Sequence, residues 1–198
     1  MNKKFSSLPI PQKWVDAIGE ISDPFTWMVF GHPKNGKTSF LLQFCKDIAT
    51  SGIKVYYNSM EEGHSKTLQD AFIRVGMSDI PNGMFSLGDR DTLDAMMLKL
   101  KTNRARVVVI DSRDYMKLTA DQWKRLTNAF PKKSFVLVCW EQAGKPMGKY
   151  AKDIAYMVSM ITHVSNFTAT TNGRFGAGLK YTIWNKVKTS PGELFHNA

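Results

Sequence analysis

A chain of 198 residues with 43% hydrophobic and 22% charged content is long enough to bury one core and too short for two full domains. No apolar run reaches the roughly 18 residues that a bilayer crossing needs, and the start MNKKFSSLPIPQKW has lysines with no apolar stretch behind them, so a cytoplasmic protein with no membrane partner is expected. The net charge of +10 falls wholly in residues 101–198, which carry 16 Lys and Arg against 6 Asp and Glu, so an anionic partner and plain surface solubility both stay open.

In chain order, residues 1–24 read as an N-terminal arm, with Pro9 and Pro11 ahead of a short helix around Trp14 to Ile18 that covers the core or docks on a neighbouring subunit. Residues 25–198 read as one domain. Short apolar runs predict strands at 25–30, 53–58, 84–87, 106–111, 134–140, 160–164 and 179–184, and amphipathic stretches predict helices at 37–50, 64–75, 91–102, 120–130 and 149–158. This alternation implies an α/β fold with a mainly parallel central sheet flanked by helices. Segment 166–178, rich in Thr, Gly and Asn, reads as a hairpin or mobile loop within a C-terminal β-hairpin region. Cys45 and Cys139 lie in apolar contexts without metal-ligand spacing and are expected as buried free thiols.

Chemistry concentrates after the first strand. Gly31-His32-Pro33-Lys34-Asn35-Gly36-Lys37-Thr38 follows it at once, and Ser39-Phe40-Leu41-Leu42 opens a helix. This strand–GxxxxGK[ST]–helix context is that of a phosphate-binding loop, whose backbone N–H groups and helix N-terminus hold phosphate oxygens. ATP or a close relative is therefore expected at residues Gly31 to Ser39, with Lys37 on the β- and γ-phosphates and the Thr38 hydroxyl on Mg²⁺. Val107-Val108-Val109-Ile110 reads as a strand buried on both faces, and the carboxylate ending it, Asp111, is the second expected Mg²⁺ ligand. Val55-Tyr56-Tyr57-Asn58-Ser59-Met60 runs into Glu61 and Glu62. Either carboxylate can orient or deprotonate the attacking water, or merely precede the next helix; Glu61 is the first choice.

These residues resemble the RecA-like P-loop ATPases, in particular the branch with RadA-type repair proteins and hexameric replicative helicases, over roughly residues 25–195. Ser59-Met60-Glu61 is similar to the serine-x-glutamate whose glutamate activates water in that branch, which favours Glu61. Lys186-Val187-Lys188 resembles the helicases' Lys-x-Arg segment, so the resemblance implies that Lys186 and Lys188 reach the γ-phosphate of an adjacent subunit in a homo-oligomer, ring or filament. Two departures stand out. Lys188 lacks the guanidinium fork of the family's arginine, and Trp140 takes the place of a polar γ-phosphate sensor at the end of the fifth strand, leaving Gln142 as the candidate sensor.

The resemblance also implies that the loops after the fourth and fifth strands touch DNA. The second of these, Gln142 to Lys152, combines Gly144 and Gly148 with Lys145, Lys149, Lys152 and Tyr150, the cations and aromatic suited to sequence-tolerant single-strand binding. Arg113, Lys117, Arg174 and Lys180 are candidates to extend that basic surface. The expected function is an ATPase, DNA-stimulated, acting in recombination, repair or replication. The alternative is a slowly hydrolysing nucleotide switch with a protein partner, and a small-molecule kinase ranks behind both for want of an Arg-rich lid.

Overall fold

The computed structural model describes residues 6–174 and 176–184. Its elements are α1 (Gln12–Ile18), β1 (Thr26–Gly31), α2 (Lys37–Thr50), β2 (Val55–Ser59), α3 (Lys66–Val75), β3 (Phe85–Asp89), α4 (Leu93–Thr102), β4 (Val107–Asp111), α5 (Arg113–Met116), α6 (Ala120–Ala129), β5 (Ser134–Gln142), β6 (Lys145–Pro146), α7 (Lys149–Ala155), β7 (Met160–Ser165), β8 (Thr168–Gly173) and β9 (Gly176–Thr182). The sheet order is β3-β2-β4-β5-β1-β7-β8-β9, with β6 paired to the end of β5. Every pair from β3 across to β7 is parallel, and β7, β8 and β9 are antiparallel. Because β1 neighbours β5 and not β2, α2 must carry the chain across the sheet, and the loop before it lies at the middle of the sheet's carboxyl edge.

Alternation along each strand divides the core into two layers. In β1, Trp27 and Val29 pack with Phe40 and Phe44 of α2, while Met28 and Phe30 face the opposite layer with Met96 of α4 and Trp123 of α6. In β4, Val107 and Val109 go to the first layer and Val108 and Ile110 to the second. Both layers are apolar, which is why β4 reads as an unbroken β-branched run. Both cysteines are buried and free, one in each layer, and burial pushes their thiols above the ordinary range. No helix among the described residues is long and apolar enough to cross a membrane.

The helix predicted from residue 64 starts at Lys66, capped by Ser65, whose side chain accepts from Leu68 N. The one predicted from 91 starts at Leu93 under Thr92. Asp91 is drawn elsewhere: its carboxylate takes Tyr56 and Lys99, and its backbone N–H donates to Asn58 Oδ1 at 3.0 Å. The helix predicted over 149–158 ends at Ala155, and α5 has four residues, too few to show a period.

Segment 166–178 is a hairpin. Asn166 and Phe167, both at positive φ, make the tight turn from β7 into β8, a geometry that matches the twist of two-residue hairpins. β8 went unpredicted because its buried side chains include a threonine. Thr171 is fully buried, its hydroxyl 2.7 Å from that of Thr162, which in turn accepts the Trp27 indole N–H at 2.8 Å. The buried indole requires an acceptor, and the threonine pair supplies one.

Residues of the arm pack against the first layer. Trp14 is fully buried, with its ring centroid 4.8 Å from that of Tyr181 and 5.1 Å from that of Phe44, and its indole donates to Asp47 at 2.7 Å. Trp14→Ala is expected to lower stability by about 3–5 kcal/mol, the cost of emptying a large aromatic site. Urea unfolding would measure this, and an unchanged midpoint would mean that α1 contributes nothing to the core.

Candidate functional site

The phosphate loop is shaped by two glycines with different tasks. At Gly31, a Cβ would sit 2.2 Å from the Val164 carbonyl oxygen, so no side chain fits between β1 and β7. Gly36 has φ +97°, the left-handed region that favours glycine, and turns the chain into α2. Lys37 is buried, and its ammonium donates to the Gly31 and His32 carbonyls at 2.9 and 3.0 Å. Burial lowers its pKa against the pull of Asp111, Glu61 and Asp114.

Asp111 ends β4 opposite this loop and accepts the Thr38 hydroxyl at 3.1 Å. On the same carboxylate oxygen it accepts the hydroxyl of Tyr57, a fully buried side chain that sequence reasoning missed. Burial raises the Asp111 pKa, although the Tyr57 and Thr38 donors and the Lys37 charge favour the ionised form. The hydroxyl of Ser112, joined to Asp111 by a cis peptide, is buried without a hydrogen-bond partner among the described residues. Hydroxyl and carboxylate oxygens are the hard donors that Mg²⁺ takes, usually one or two from protein with the rest from water and phosphate. Thr38 and Asp111 fit that pattern.

Glu61 and Glu62 line the same cavity as Lys37, Thr38 and Asp111, a hollow of about 380 Å³. The two backbone N–H groups of Met60 and Glu61 donate to the Asp111 carbonyl at 2.6 and 3.1 Å, which ties the end of β2 to the end of β4. Burial, then the Asp111 charge, raises the pKa of each glutamate. Their partners differ. The Trp140 side chain favours the ionised form of Glu61 against that rise, whereas Glu62 accepts from Ser65, the cap of α3, at 3.4 Å.

No family model matches this chain, and no curated protein does. Among solved structures, a KaiC-like protein from the hyperthermophilic archaeon Pyrococcus horikoshii OT3 superposes with a TM-score of 0.61, covering 90% of this chain and 93% of its own at 16% identity. The fold is RecA-like. At this identity the likeness is one of fold alone.

Against this RecA-like frame the remaining expected residues fall into place or out of it. Gln142 is exposed in the β5–β6 hairpin, paired with Lys145, and does not line the cavity. Its neighbour Glu141 points inward: one oxygen lies 2.8 Å from His163 Nε2, and the other accepts Gly144 N at 3.1 Å and sits 3.6 Å from His32 Nε2 of the phosphate loop. His163, His32 and Gly144 together outweigh burial and hold the Glu141 carboxyl below its usual range. Strand alternation separates the two, since Glu141 shares the face of Cys139, towards the second layer, and Gln142 takes the face of Val138, towards the first.

Lys145, Lys149, Tyr150 and Lys152 are all exposed on β6 and α7. Arg113 is not a free cation: it pairs with Asp114 at 2.7 Å, with its guanidinium 6.0 Å from the Tyr150 ring centroid. Asp114 also accepts the Trp140 backbone N–H at 2.7 Å. Lys117 is exposed just past α5, and Lys180 lies on β9. Arg174 follows β8, whose Gly173 pairs with Met160 at the start of β7, so it sits at the sheet end opposite the phosphate loop and cannot extend a surface there. Lys186 and Lys188 lie outside the described residues.

Two further hollows, of about 420 and 410 Å³, lie between α3 and the edge strand β3, lined by residues such as Phe72, Ile73 and Leu87, and contain no phosphate-loop residue. The cavity at the loop is lined by Lys34, Lys37, Glu61, Glu62 and Asp111. Lys37→Ala deletes the cation of the loop and is expected to abolish most nucleotide affinity; calorimetry would check this, and unchanged ATP binding would refute the assignment.

Proposed function

We propose that the chain binds ATP with Mg²⁺ and hydrolyses it to ADP and phosphate, and that it does so as a homo-oligomer on single-stranded DNA in recombination, repair or replication. The observation that carries the hydrolytic part is the convergence of Lys37, Thr38, Asp111 and Glu61 on one cavity. Lys37 faces the β- and γ-phosphates, Thr38 and Asp111 hold the metal, and Glu61 accepts a proton from water as the water oxygen attacks the γ-phosphorus and the bond to the β-phosphate oxygen breaks. Thr38 and Asp111 are the residues that would hold Mg²⁺, and the ion would supply neutralisation of the phosphate charge there.

The DNA part is supported by the exposed cations Lys145, Lys149 and Lys152 with Tyr150, and by a line of contacts from that surface to the site. Tyr150 lies by Arg113, Arg113 pairs with Asp114, Asp114 takes the Trp140 backbone, and Trp140 favours the ionised form of Glu61. A ligand that shifts Tyr150 thus has a short mechanical route to the water-activating carboxylate. Self-assembly rests on the resemblance of Lys186 and Lys188 to fingers that act between subunits.

Trp140, which stands near the end of β5 where the resemblance implies a polar sensor, also favours a second reading, a nucleotide-dependent switch with a protein partner. Glu61→Gln is expected to keep ATP·Mg²⁺ binding while slowing turnover by on the order of 10² or more. Should Glu62→Gln do this in its place, the base lies one residue later. Steady-state ATPase rates with and without single-stranded DNA separate the two readings: stimulation by DNA supports the first, and a slow rate indifferent to DNA supports the switch.

If the three lysines neutralise phosphates, Lys145→Ala, Lys149→Ala and Lys152→Ala combined should flatten the log–log salt dependence of DNA binding by roughly 0.7 per lost contact. Nucleotide affinity should survive. Fluorescence anisotropy across a salt series would measure the slope, and an unchanged slope would remove these lysines from the interface.

A further inference from the structure

The cavity at the phosphate loop has a chemically mixed lining. Lys37, Thr38, Glu61 and Asp111 contribute polar and charged groups to its lining, and Phe167 and Trp184 contribute rings. Phe167 belongs to the β7–β8 turn and Trp184 follows β9, so neither is part of the loop or of the carboxylate strands. Their ring centroids are 5.4 Å apart at an interplanar angle of 37°. The Ile183 N–H donates to the Phe167 carbonyl at 2.8 Å, which fixes the turn beside the segment that carries Trp184. From α3, the Arg74 guanidinium lies 5.0 Å from the Trp184 centroid, a cation–π distance that steadies the indole.

This aromatic wall is built against the loop itself. A Cβ on Gly36 would lie 3.1 Å from Phe167 Cδ1 and 3.4 Å from Ile183 Cδ1, so the glycine that turns the loop into α2 also admits the ring next to it. The packing holds a hydrophobic, planar surface at a fixed place relative to the loop N–H groups. A ligand that fills a hollow of about 380 Å³, anionic in one part and flat and apolar in another, satisfies both kinds of lining at once. Inorganic polyphosphate satisfies one.

The geometry points to Phe167 and Trp184 as the nucleobase subsite, the wall against which the base of the nucleotide packs while its phosphates occupy the loop. This rests on the phosphate-loop reading above and adds to it where the non-phosphate part of the ligand sits. Stacking of a base on an aromatic side chain changes affinity by about tenfold or more when the ring is truncated to alanine.

The test compares Mg²⁺-ATP with Mg²⁺-tripolyphosphate, which lacks base and sugar, by calorimetry on the full chain. Wild-type protein should bind ATP at least about tenfold tighter than tripolyphosphate. Phe167→Ala and Trp184→Ala should bring ATP down towards tripolyphosphate and leave tripolyphosphate unchanged, while the ring-preserving Phe167→Tyr and Trp184→Phe keep the preference. An ATP preference that survives both alanine substitutions overturns the subsite, as does wild-type protein that binds the two ligands equally. Loss of tripolyphosphate binding in the alanine variants also overturns it, because the rings then only support the loop. If wild-type protein binds neither ligand, the phosphate-loop reading itself fails and the subsite falls with it.

Discussion

A single buried carboxylate organises the centre of this molecule. Asp111 receives the Tyr57 and Thr38 hydroxyls on one oxygen, and its backbone carbonyl receives two N–H groups from the end of β2. Those bonds fasten three consecutive features of the carboxyl edge to one another: the start of α2, the end of β2 and the end of β4. Without them an unpaired charge would be buried among apolar strands, which is costly. The Lys37 ammonium, itself buried and bonded to loop carbonyls, supplies the compensating charge.

The sheet order makes this arrangement possible. β2 and β4 are neighbours although β3 and α4 intervene in the chain, and β1 lies two strands away beside β5. The carboxylates of two strands and the loop of a third therefore meet at one edge. Glu61 is tied to the same edge through its N–H, so the position of its backbone follows from the main-chain pairing of β2 with β4. Trp140, near the end of β5, favours the ionised form of Glu61.

What the sequence discloses and what it hides follow the range of the signal. The phosphate loop is contiguous, and β4 announces itself by an unbroken β-branched run ending in Asp111, so both are legible without a structure. The class of fold is legible for the same reason, since the alternation of short apolar runs and amphipathic stretches is local. Tyr57 is not. A tyrosine in a buried strand looks like core, and its role appears only once the non-sequential pairing of β2 with β4 is known. Glu141 and Gln142 turn on a single step of strand alternation, which the polar pair at the end of a strand does not reveal. β8 is masked by threonines that look like loop; Thr171 among them is buried against Thr162 of β7, which satisfies an indole more than a hundred residues earlier in the chain.

The two cysteines carry a practical consequence. Each is enclosed in a separate core layer, and burial keeps its sulfur protonated at ordinary pH. Only the thiolate attacks alkylating reagents and disulfides. The native protein is thus chemically silent towards maleimide dyes, and a cysteine introduced on the exposed hairpin of β5 and β6 would accept a label alone. Site-specific spectroscopy of that hairpin requires no removal of the native sulfurs.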